Sequence, residues 1–562
     1  MTNMGFNNFS PFLTTVNGFA AATPEILEQI KAYFGLRSDV NSLKRVQTYF
    51  SKAERRDPYA DELRLIDNII SSNKPSTSDY ILTEFSSNDE NIGETFNDVI
   101  KKLSEVSNES YPYYSPNDIL NTGELCLSAL GKRAPVGIKL FPGNGSLEYA
   151  AANESGPFLG VSSETGKKFT VAVNSKNAPK KDVADSDSVV FLKAPAETKQ
   201  DVFCLNVSAL LTATYRELDV KAFKIIGEGG LLEALLTLTK GAFLNLSPLY
   251  PVFYNISPEL LTSKLTGSAI AIIPSSKIRR FTECANANGL YAYPIGRPAK
   301  AGRLNITSSY GTPYSLTYDF IRSLKMKNGI SVKTSDEHKN GTVSEKFVVD
   351  GIDSEYAYYQ NGIAVINAEA NVNSYNSAAL TLLNAVCRAS SIGISREDVL
   401  TSFELGISFG TEKESGESLS AILGVYRAQS ELSVSSSNVG TVISNEPYCS
   451  VTLAARGKKD PEITFKKSGS RVYLLAPRYK DNGLPDFKDE RLLLDYVNEL
   501  FKSGEIISAR AVGANGAATT VSKMNSDTAK LEITDISEKS GIGSFIVETD
   551  SEISGLFLGF TE

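Results

Sequence analysis

The sequence predicts an α+β protein in which two related units follow a helical amino-terminal region. Three observations lead to this fold class. Apolar residues recur at helical and at strand spacing in alternation, three short blocks recur later in the chain in the same order, and the first part of the chain carries helix caps. With 562 residues and 41% hydrophobic content, the chain can bury several cores, so we expect three to five domains.

Two helices are predicted in the amino-terminal region. The first begins at Thr23-Pro24, which supply a cap and a first-turn proline, and it ends at Gly35. The second begins at Asp57-Pro58, and its apolar stripe is typical of core packing. That stripe consists of Leu63, Ile66 and Ile70. Residues 71–116 are rich in Ser, Asn, Asp and Glu, which predicts a connector with one helical stretch near Phe96 to Leu103.

An internal repeat covers most of the remaining chain. Three blocks of the first copy match blocks of the second at nearly constant separation: 188–195 with 470–477, 226–232 with 512–518, and 267–270 with 543–546. The period is far too long for a solenoid, so the pattern indicates duplication of a whole domain. Each copy is predicted to contain an apolar strand ending in Ala-Pro, a helix, a glycine turn, a second helix and further strands.

Periodicity defines several elements inside the two copies. The second copy carries a helical stripe within residues 493–501, and Gly504 ends that helix. In the first copy, residues 269–273 are predicted as a strand, 275–287 as a helix with Gly289 at its end, and 290–295 as another strand.

Composition excludes several classes of function. The formal net charge of −8 provides no positive field for a phosphate backbone, so we expect no nucleic-acid partner. Five widely spaced cysteines predict free thiols in a reducing compartment, and with neither a leader-like start nor a long apolar run we expect a cytoplasmic protein without a membrane partner. The single histidine, His338, lies in a polar stretch that predicts a loop, which argues against a histidine-based zinc site or triad.

Two local motifs offer alternative interpretations. Gly227, Gly229 and Gly230 could let backbone amides approach a phosphate at a helix start, but a tight turn that needs glycine for positive φ or close packing is the favoured interpretation. The aspartates of residues 182–187 could hold Mg²⁺ through oxygen ligands, although a solvated loop is favoured, so we assign no metal.

Three motifs of the first half carry a family resemblance. Residues 56–67, Arg-Asp-Pro-Tyr-Ala-Asp-Glu-Leu-Arg-Leu-Ile-Asp, resemble the segment that precedes Ser-Glu/Asp-His-Cys in the formylglycinamide ribonucleotide amidotransferases, or PurL family, which places the family histidine on Asn73. Residues 154–161 are similar to Glu-Asn-Ala-Gly-Val-Val. Residues 171–179 then stand where the family has Val-Glu-Thr-His-Asn-His-Pro, with the histidines replaced by Lys176 and Ala178 and with Asn177 preserved.

Motifs of the second half continue the resemblance in the family's order. Residues 373–379 are similar to Asp-Pro-Tyr-x-Gly-Ala, with Asn373 for the aspartate and Ser377 for the glycine. Thr401-Ser-Phe403 stands for Asp-Asn-Phe, and Ser436-Ser-Asn-Val439 resembles Ser-Gly-Asn-Val and retains Asn438. Residues 511–517 resemble His-Asp-Val-Ser-Asp-Gly-Gly-Leu without its His and Asp residues.

The resemblance implies a tandem pair of PurM-like units, each with an amino-terminal and a carboxyl-terminal α+β domain. We place a helical amino-terminal and linker region at 1–110, a truncated first domain at 111–195, and the remaining three domains at 196–330, 331–460 and 461–562. The family uses ATP and Mg²⁺ to activate the formyl amide oxygen of formylglycinamide ribonucleotide, and ammonia from a glutaminase then displaces phosphate.

Three hypotheses for function follow. The first is a catalytically inactive PurL-like protein that serves as a scaffold for a protein partner or small ligand, since Asn, Lys, Ala, Thr and Ser at the motif positions supply neither proton transfer nor metal charge. The second is a divergent synthetase that uses ammonia or a separate glutaminase. It would use ATP and Mg²⁺ and would contact the cofactor through Asn177, Gly227, Gly229, Gly230 and Asn438, with no residue assigned to the metal. The third is a structural protein that assembles into a homo-oligomer.

Overall fold

The computed structural model describes residues 15–71, 80–106, 114–129, 138–142, 158–163, 169–174, 182–214, 217–227, 229–253, 258–307, 314–324, 328–334, 343–344, 347–349, 352–354, 358–360, 363–370, 374–444, 448–456, 462–533, 536 and 540–562. These residues form two compact units. The described residues of the first unit fall within Met1–Pro75 and Ala178–Met326. Those of the second fall within Ser76–Ala150, Pro157–Asn177 and Lys327–Glu562.

The α-helices of the described residues are numbered along the chain. They are α1 Pro24–Phe34, α2 Val40–Tyr49, α3 Ala60–Ser71, α4 Glu90–Val106, α5 Pro116–Ala129, α6 Gln200–Thr214, α7 Gly230–Leu238, α8 Pro258–Thr262, α9 Ile278–Ala287, α10 Tyr318–Ser323, α11 Tyr375–Ser390, α12 Glu412–Leu432, α13 Phe487–Ser503 and α14 Gly516–Met524. None of them is long and apolar enough to cross a lipid bilayer.

The strands are numbered in the same way. They are β1 Tyr80–Ser87, β2 Ile138–Pro142, β3 Phe158–Ser163, β4 Phe169–Asn174, β5 Asp187–Lys193, β6 Ala222–Ile225, β7 Ala242–Asn245, β8 Ser268–Pro274, β9 Tyr291–Pro298, β10 Arg303–Thr307, β11 Tyr314–Thr317, β12 Asn328–Thr334, β13 Val343–Ser344, β14 Phe347–Val349, β15 Ile352–Ser354, β16 Tyr358–Gln360, β17 Ile363–Ala370, β18 Val399–Ile407, β19 Ser435–Ile443, β20 Tyr448–Arg456, β21 Arg471–Leu475, β22 Ile506–Ala511, β23 Phe545–Thr549 and β24 Leu556–Phe560.

The first unit is built on a mixed seven-stranded sheet with the order β11-β10-β7-β9-β5-β8-β6. Strand β5 is buried over six of its seven residues and pairs antiparallel with β8 and β9. A single hydrophobic cluster joins this sheet to α7 and to the three amino-terminal helices. Leu27, Leu43, Leu63 and Ile66 supply buried side chains from those helices. The predicted core role of the stripe on α3 is therefore confirmed.

The amino-terminal helices differ from the prediction in two respects. Helix α1 ends at a left-handed Gly35, as predicted, but α3 begins at Ala60 rather than at Asp57. The Asp57 carboxylate instead accepts hydrogen bonds from the backbone N–H groups of Gly18 and Ala20, each at 2.8 Å. Helix α2, which the sequence pattern does not predict, lies between them and is capped by Asp39.

The second unit contains four sheets of six, five, four and two strands. The six-stranded sheet has the order β13-β17-β20-β18-β19, with β16 beside β17, and the five-stranded sheet has the order β15-β14-β3-β4-β2. Helices α11 and α12 contribute buried side chains to the main core of this unit. A Cβ at Gly424 of α12 would lie 2.1 Å from the carbonyl oxygen of Tyr375, so glycine permits the close approach of these helices.

Residues 80–106 correct the predicted connector. They form β1 and α4 instead of an exposed linker, and β1 pairs in parallel with β12. Phe96, Val99 and Leu103 of α4 are buried in the core of the second unit. The many Ser, Asn, Asp and Glu residues of this stretch lie between apolar positions at helical spacing, so tertiary packing outweighs the polar composition.

The duplication predicted from sequence is visible in the strand order. In the first unit β6-β8-β5-β9 form one part of the sheet, and in the second unit β22-β23-β21-β24 form the corresponding four-stranded sheet. The glycine turns also correspond. The N–H of Gly230 donates to the carbonyl of Gly227, and that of Gly516 donates to Gly513, both at 3.0 Å.

A carboxyl group is buried in the core of the second unit without a charged partner among the described residues. Glu490 of α13 is fully buried, and the Cys387 thiol donates to its Oε1 at 3.4 Å. Its Oε2 has no hydrogen-bond partner in the described part of the chain. Burial therefore raises the pKa of Glu490 from 4.5 to about 8.

We predict that Glu490 makes the stability of the second unit fall as the pH rises. Its pKa is higher in the folded than in the unfolded chain, so the folded state holds an extra proton between pH 4.5 and about 8. The stabilising effect of that proton is complete below this window and is lost through it. The variant Glu490→Gln keeps an acceptor for the Cys387 thiol without titrating, so its melting temperature relative to wild type should increase between acidic and mildly alkaline pH.

The control for this measurement is Glu499→Gln, which removes the same charge at an exposed position of α13. Differential scanning calorimetry of the three proteins at several pH values across the window provides the comparison. A constant difference between Glu490→Gln and wild type at all pH values would contradict the prediction.

Candidate functional site

Two motifs identified in the sequence lie side by side on the parallel strands β18 and β19 of the second unit. Thr401 pairs with Ser436, and Phe403 pairs with Val439. One residue of β18 therefore spans two residues of β19, which creates a β-bulge at Ser437 and Asn438. Bulges change the direction of side chains and are frequent beside functional sites, so this position is the candidate site of the second unit.

Three hydrogen bonds hold the beginning of β19. The backbone N–H of Ser436 donates to Oε2 of Glu124 at 2.7 Å, and Nε2 of Gln429 donates to Oγ of Ser436 at 3.0 Å. The hydroxyl of Thr401 donates to the carbonyl of Ser435 at 3.0 Å. Helices α5 and α12 thus position the strand through one carboxylate and one amide.

An unpaired acceptor lies at the same place. Gln429 is fully buried, and its Oε1 has no hydrogen-bond donor among the described residues. A Cβ at Gly123 of α5 would lie 2.4 Å from this oxygen, so a larger residue at 123 would require Gln429 to move. A buried amide oxygen without a donor is costly, and it provides a hydrogen-bonding position for a ligand group or an ordered water.

Helix α4 carries a charged cluster that contacts helix α12. Lys102 donates to Asp98 at 2.8 Å and to the hydroxyl of Tyr426 at 2.9 Å, and that hydroxyl donates to Asp98 at 2.6 Å. Burial alone would raise the pKa of Asp98, but the hydrogen bonds from Lys102 and Tyr426 together hold it below its usual value. The charges of Lys102 and Asp98 are therefore paired with each other.

Helix α11 begins at the motif in which Ser377 replaces the family glycine. The Ser377 N–H donates to Oγ of Ser374, and the Ser374 N–H donates to Oγ of Ser377, each at 3.1 Å, which forms a capping box. The side chain of Asn376 donates to the carbonyl of Asn482 at 2.7 Å. The two serine hydroxyls thus accept hydrogen bonds from backbone N–H groups at the start of this buried helix.

The glycine turn of the first unit is a tight turn that needs glycine, as the favoured interpretation of the sequence predicts. Gly230 has a φ of +70°, and a Cβ at this position would lie 2.5 Å from the carbonyl oxygen of Leu261. Gly229 precedes α7 as its cap residue, and a Cβ at Gly227 would have no neighbouring atom within 4 Å. The turn therefore requires glycine at 230 for conformation and packing, and phosphate binding at this turn stays a prediction.

The other predicted site residues are placed only in part. Asn438 lies in the bulge of β19, where the structure describes its backbone alone. Asn73, Lys176, Asn177, Ala178 and His338 lie outside the described residues. The structure thus brings the motifs at Thr401 and Ser436 together, whereas the glycine turn at Gly227 belongs to the other unit.

Sequence reasoning missed Glu124, Gln429 and Gly123. The first two lie in helical segments that carry no recognisable motif, and only the tertiary structure places them against β19. The close spacing of Gly123 and Glu124 within one helix is the single local feature that could have drawn notice. Among the described residues, no group of three or more His, Cys, Asp or Glu residues could hold a metal ion.

Comparisons with known proteins identify a shared fold. No protein-family model and no curated protein sequence matches the chain. The structure is similar to that of Thermotoga maritima PurL complexed with ATP, with a TM-score of 0.57 and 13% sequence identity over 92% of this chain and 99% of that one. It is also similar to T. maritima PurL complexed with FGAR, with a TM-score of 0.54 and 12% identity over 79% of this chain and 86% of that one. The chain therefore has a PurL-like, PurM-like α+β fold with a helical amino-terminal region.

We predict that Gly230→Ala lowers the free energy of unfolding by about 1–3 kcal/mol, because the new methyl group would meet the backbone at Leu261 and the positive φ would be strained. The matched control is Gly227→Ala in the same turn, where there is open space. That change should alter stability by less than about 1 kcal/mol. Urea denaturation followed by circular dichroism measures both, and equal effects would contradict the assigned role of Gly230.

Proposed function

We propose that this protein is a PurL-like protein that binds a partner or small ligand and has lost the amidoligase reaction. The main support for the proposal is the chemistry of the polar groups at the paired strands β18 and β19. At the beginning of β19, the described polar contacts come from hydroxyls, an amide and one carboxylate that already accepts a backbone hydrogen bond. Hydroxyls and amides donate and accept hydrogen bonds, but near neutral pH they do not supply the proton transfer or metal charge that phosphoryl activation needs.

The replaced motif positions support the same conclusion. Ser377, which stands where the family has glycine, uses its hydroxyl to cap α11. Thr401, which stands for an aspartate, uses its hydroxyl within the sheet. In the sequence, Asn73, Lys176 and Ala178 replace the family histidines. At the two described positions the hydroxyl forms hydrogen bonds within the fold, and none of the five residues is a histidine or a carboxylate.

The site retains features that suit binding. The bulge at Asn438 and the buried Oε1 of Gln429 together provide a polar location with an unused acceptor. A ligand or partner that donates a hydrogen bond would offset the cost of that buried oxygen. Cys387 and Cys449 are both buried and neither forms a disulfide, which fits a reducing compartment, and we include a cytoplasmic location in the proposal.

We predict that the purified protein forms no ADP when Mg-ATP, formylglycinamide ribonucleotide and ammonium are all present. T. maritima PurL under the same conditions is the positive control for the assay. Calorimetric titration with Mg-ATP, with and without formylglycinamide ribonucleotide, shows separately whether either molecule still binds. Binding without turnover would support a ligand-binding role, and absence of both would favour a protein partner.

Saturable ADP formation that depends on formylglycinamide ribonucleotide would overturn the proposal. The protein would then be a divergent synthetase that takes ammonia directly or from a separate glutaminase. In that case Asn438→Ala should reduce turnover, because Asn438 is the amide that the motif on β19 retains.

A further inference from the structure

One face of the sheet in the first unit carries a row of polar and aromatic side chains. Arg297 of β9 pairs with Phe243 of β7, which in turn pairs with Asn305 of β10. Directly paired residues project to the same face of a sheet, so these three side chains are neighbours. Thr307 and Asn245 form the next pair along the same face. The alternate residues of β7 and β10 point into the core of the unit.

This face forms the floor of a cleft of about 720 Å³. One wall consists of the segment from Asp185 to Ser188, and Ser275 lies beside it. A volume of this size accommodates a small organic molecule. The whole cleft is built from residues of the first unit, so its geometry belongs to a single compact body.

A glycine allows the floor to form. Gly296 of β9 pairs with Leu244, and a Cβ at 296 would lie 2.0 Å from the carbonyl oxygen of Phe243. Strand β7 can therefore approach β9 only where residue 296 has no side chain. The close approach places the ring of Phe243 directly beside the side chain of Arg297, with the guanidinium carbon 5.2 Å from the ring centroid.

The guanidinium of Arg297 is available to an anion. The residue is exposed, and none of the described acidic residues forms an ion pair with it. Contact with the Phe243 ring restricts the side chain and reduces the entropy lost when a ligand binds. The side chain of Asn305 forms no hydrogen bond with a described residue, so it adds a donor and an acceptor beside this charge.

The opposite wall is ordered by its own hydrogen bonds. Oδ2 of Asp187, which is buried rather than solvated as the sequence predicts, accepts from the N–H of Ala184 at 2.8 Å. The Ser275 hydroxyl donates to the carbonyl of Ser186 at 2.6 Å and lies 2.7 Å from Oγ of Ser188. Carboxylates such as those of Asp187 and the exposed Asp185 are acceptors suited to the hydroxyl groups of a ligand, and they repel a second negative charge.

We infer that this cleft binds a small hydroxylated organic anion. Its single negative group pairs with Arg297, and its hydroxyl groups bond to Asn305, to Thr307 and to the aspartate wall. The inference goes beyond the proposed function, because the cleft is built from the first unit alone. Its test is therefore independent of the strands β18 and β19, and either proposal can fail while the other holds.

The test is calorimetric titration of the full chain with three probes: glucose 6-phosphate, gluconate and glucose. The first two carry a phosphate or a carboxylate on the same kind of polyhydroxyl body, and the third is neutral. We expect saturable binding of at least one anion with a Kd of about 1 mM or below, and no binding of glucose in the same range. The anion that binds more tightly identifies whether the cleft prefers a phosphate or a carboxylate.

Variants locate the binding. Arg297→Gln should lower the affinity for the anion at least tenfold, because a charge-assisted hydrogen bond is lost. Arg279→Gln is the matched control, since it removes an equal charge at a highly exposed position of α9 outside the cleft. Asn305→Ala, which breaks no hydrogen bond to a described residue, should weaken binding less and serves as the second variant if Arg297→Gln does not fold.

Four results would overturn the inference. The first three are no saturation by either anion up to about 10 mM, equal binding of glucose, and equal affinity of wild type, Arg297→Gln and Asn305→Ala. Loss of affinity in Arg279→Gln as great as that in Arg297→Gln would also reject it, since general surface charge would then explain the binding.

Discussion

Burial of β18 along its entire length is the constraint on which the second unit depends. All nine residues from Val399 to Ile407 are buried, so each polar group on the strand needs a partner inside the protein. The Thr401 hydroxyl donates a hydrogen bond to the carbonyl of Ser435 on β19, and Glu404 accepts a hydrogen bond from the Tyr448 hydroxyl of β20 at 2.7 Å. These contacts set both neighbouring strands and thereby the position of the bulge. The candidate site is thus a consequence of how the sheet satisfies its central strand.

The sequence predicts the elements of this fold better than their associations. The glycine stops at Gly35 and Gly504 and the strand at β8 follow from local periodicity and caps, and the duplication follows from the repeated sequence blocks. The pairing of β1 with β12 does not follow, because no short-range pattern links two strands so far apart in the chain. For the same reason Glu124 and Gln429, which act through tertiary contacts, are absent from the predicted site.

The duplicated units have kept their framework and changed what surrounds it. Both retain a helix-start glycine turn closed by the same hydrogen bond and the same order of four strands. In the first unit the sheet continues through β7, β10 and β11. At the corresponding edge of the second, the described chain has a shorter contact, in which Lys530 and Glu562 exchange two backbone hydrogen bonds. The cleft around Arg297 rests on the added strands, so the two copies have different binding surfaces.

The way in which the chain is divided between the two units has a consequence for biosynthesis. The described residues of the first unit lie in Met1–Pro75 and Ala178–Met326, and those of the second lie in Ser76–Ala150, Pro157–Asn177 and Lys327–Glu562. Strand β1 therefore leaves the ribosome long before β12, its parallel partner, is made. The main core of the second unit also includes Ile553, so this core closes only after residue 553 has been synthesised. Such non-local pairing slows folding and leaves strand edges unpaired during synthesis, when they are most exposed to aggregation.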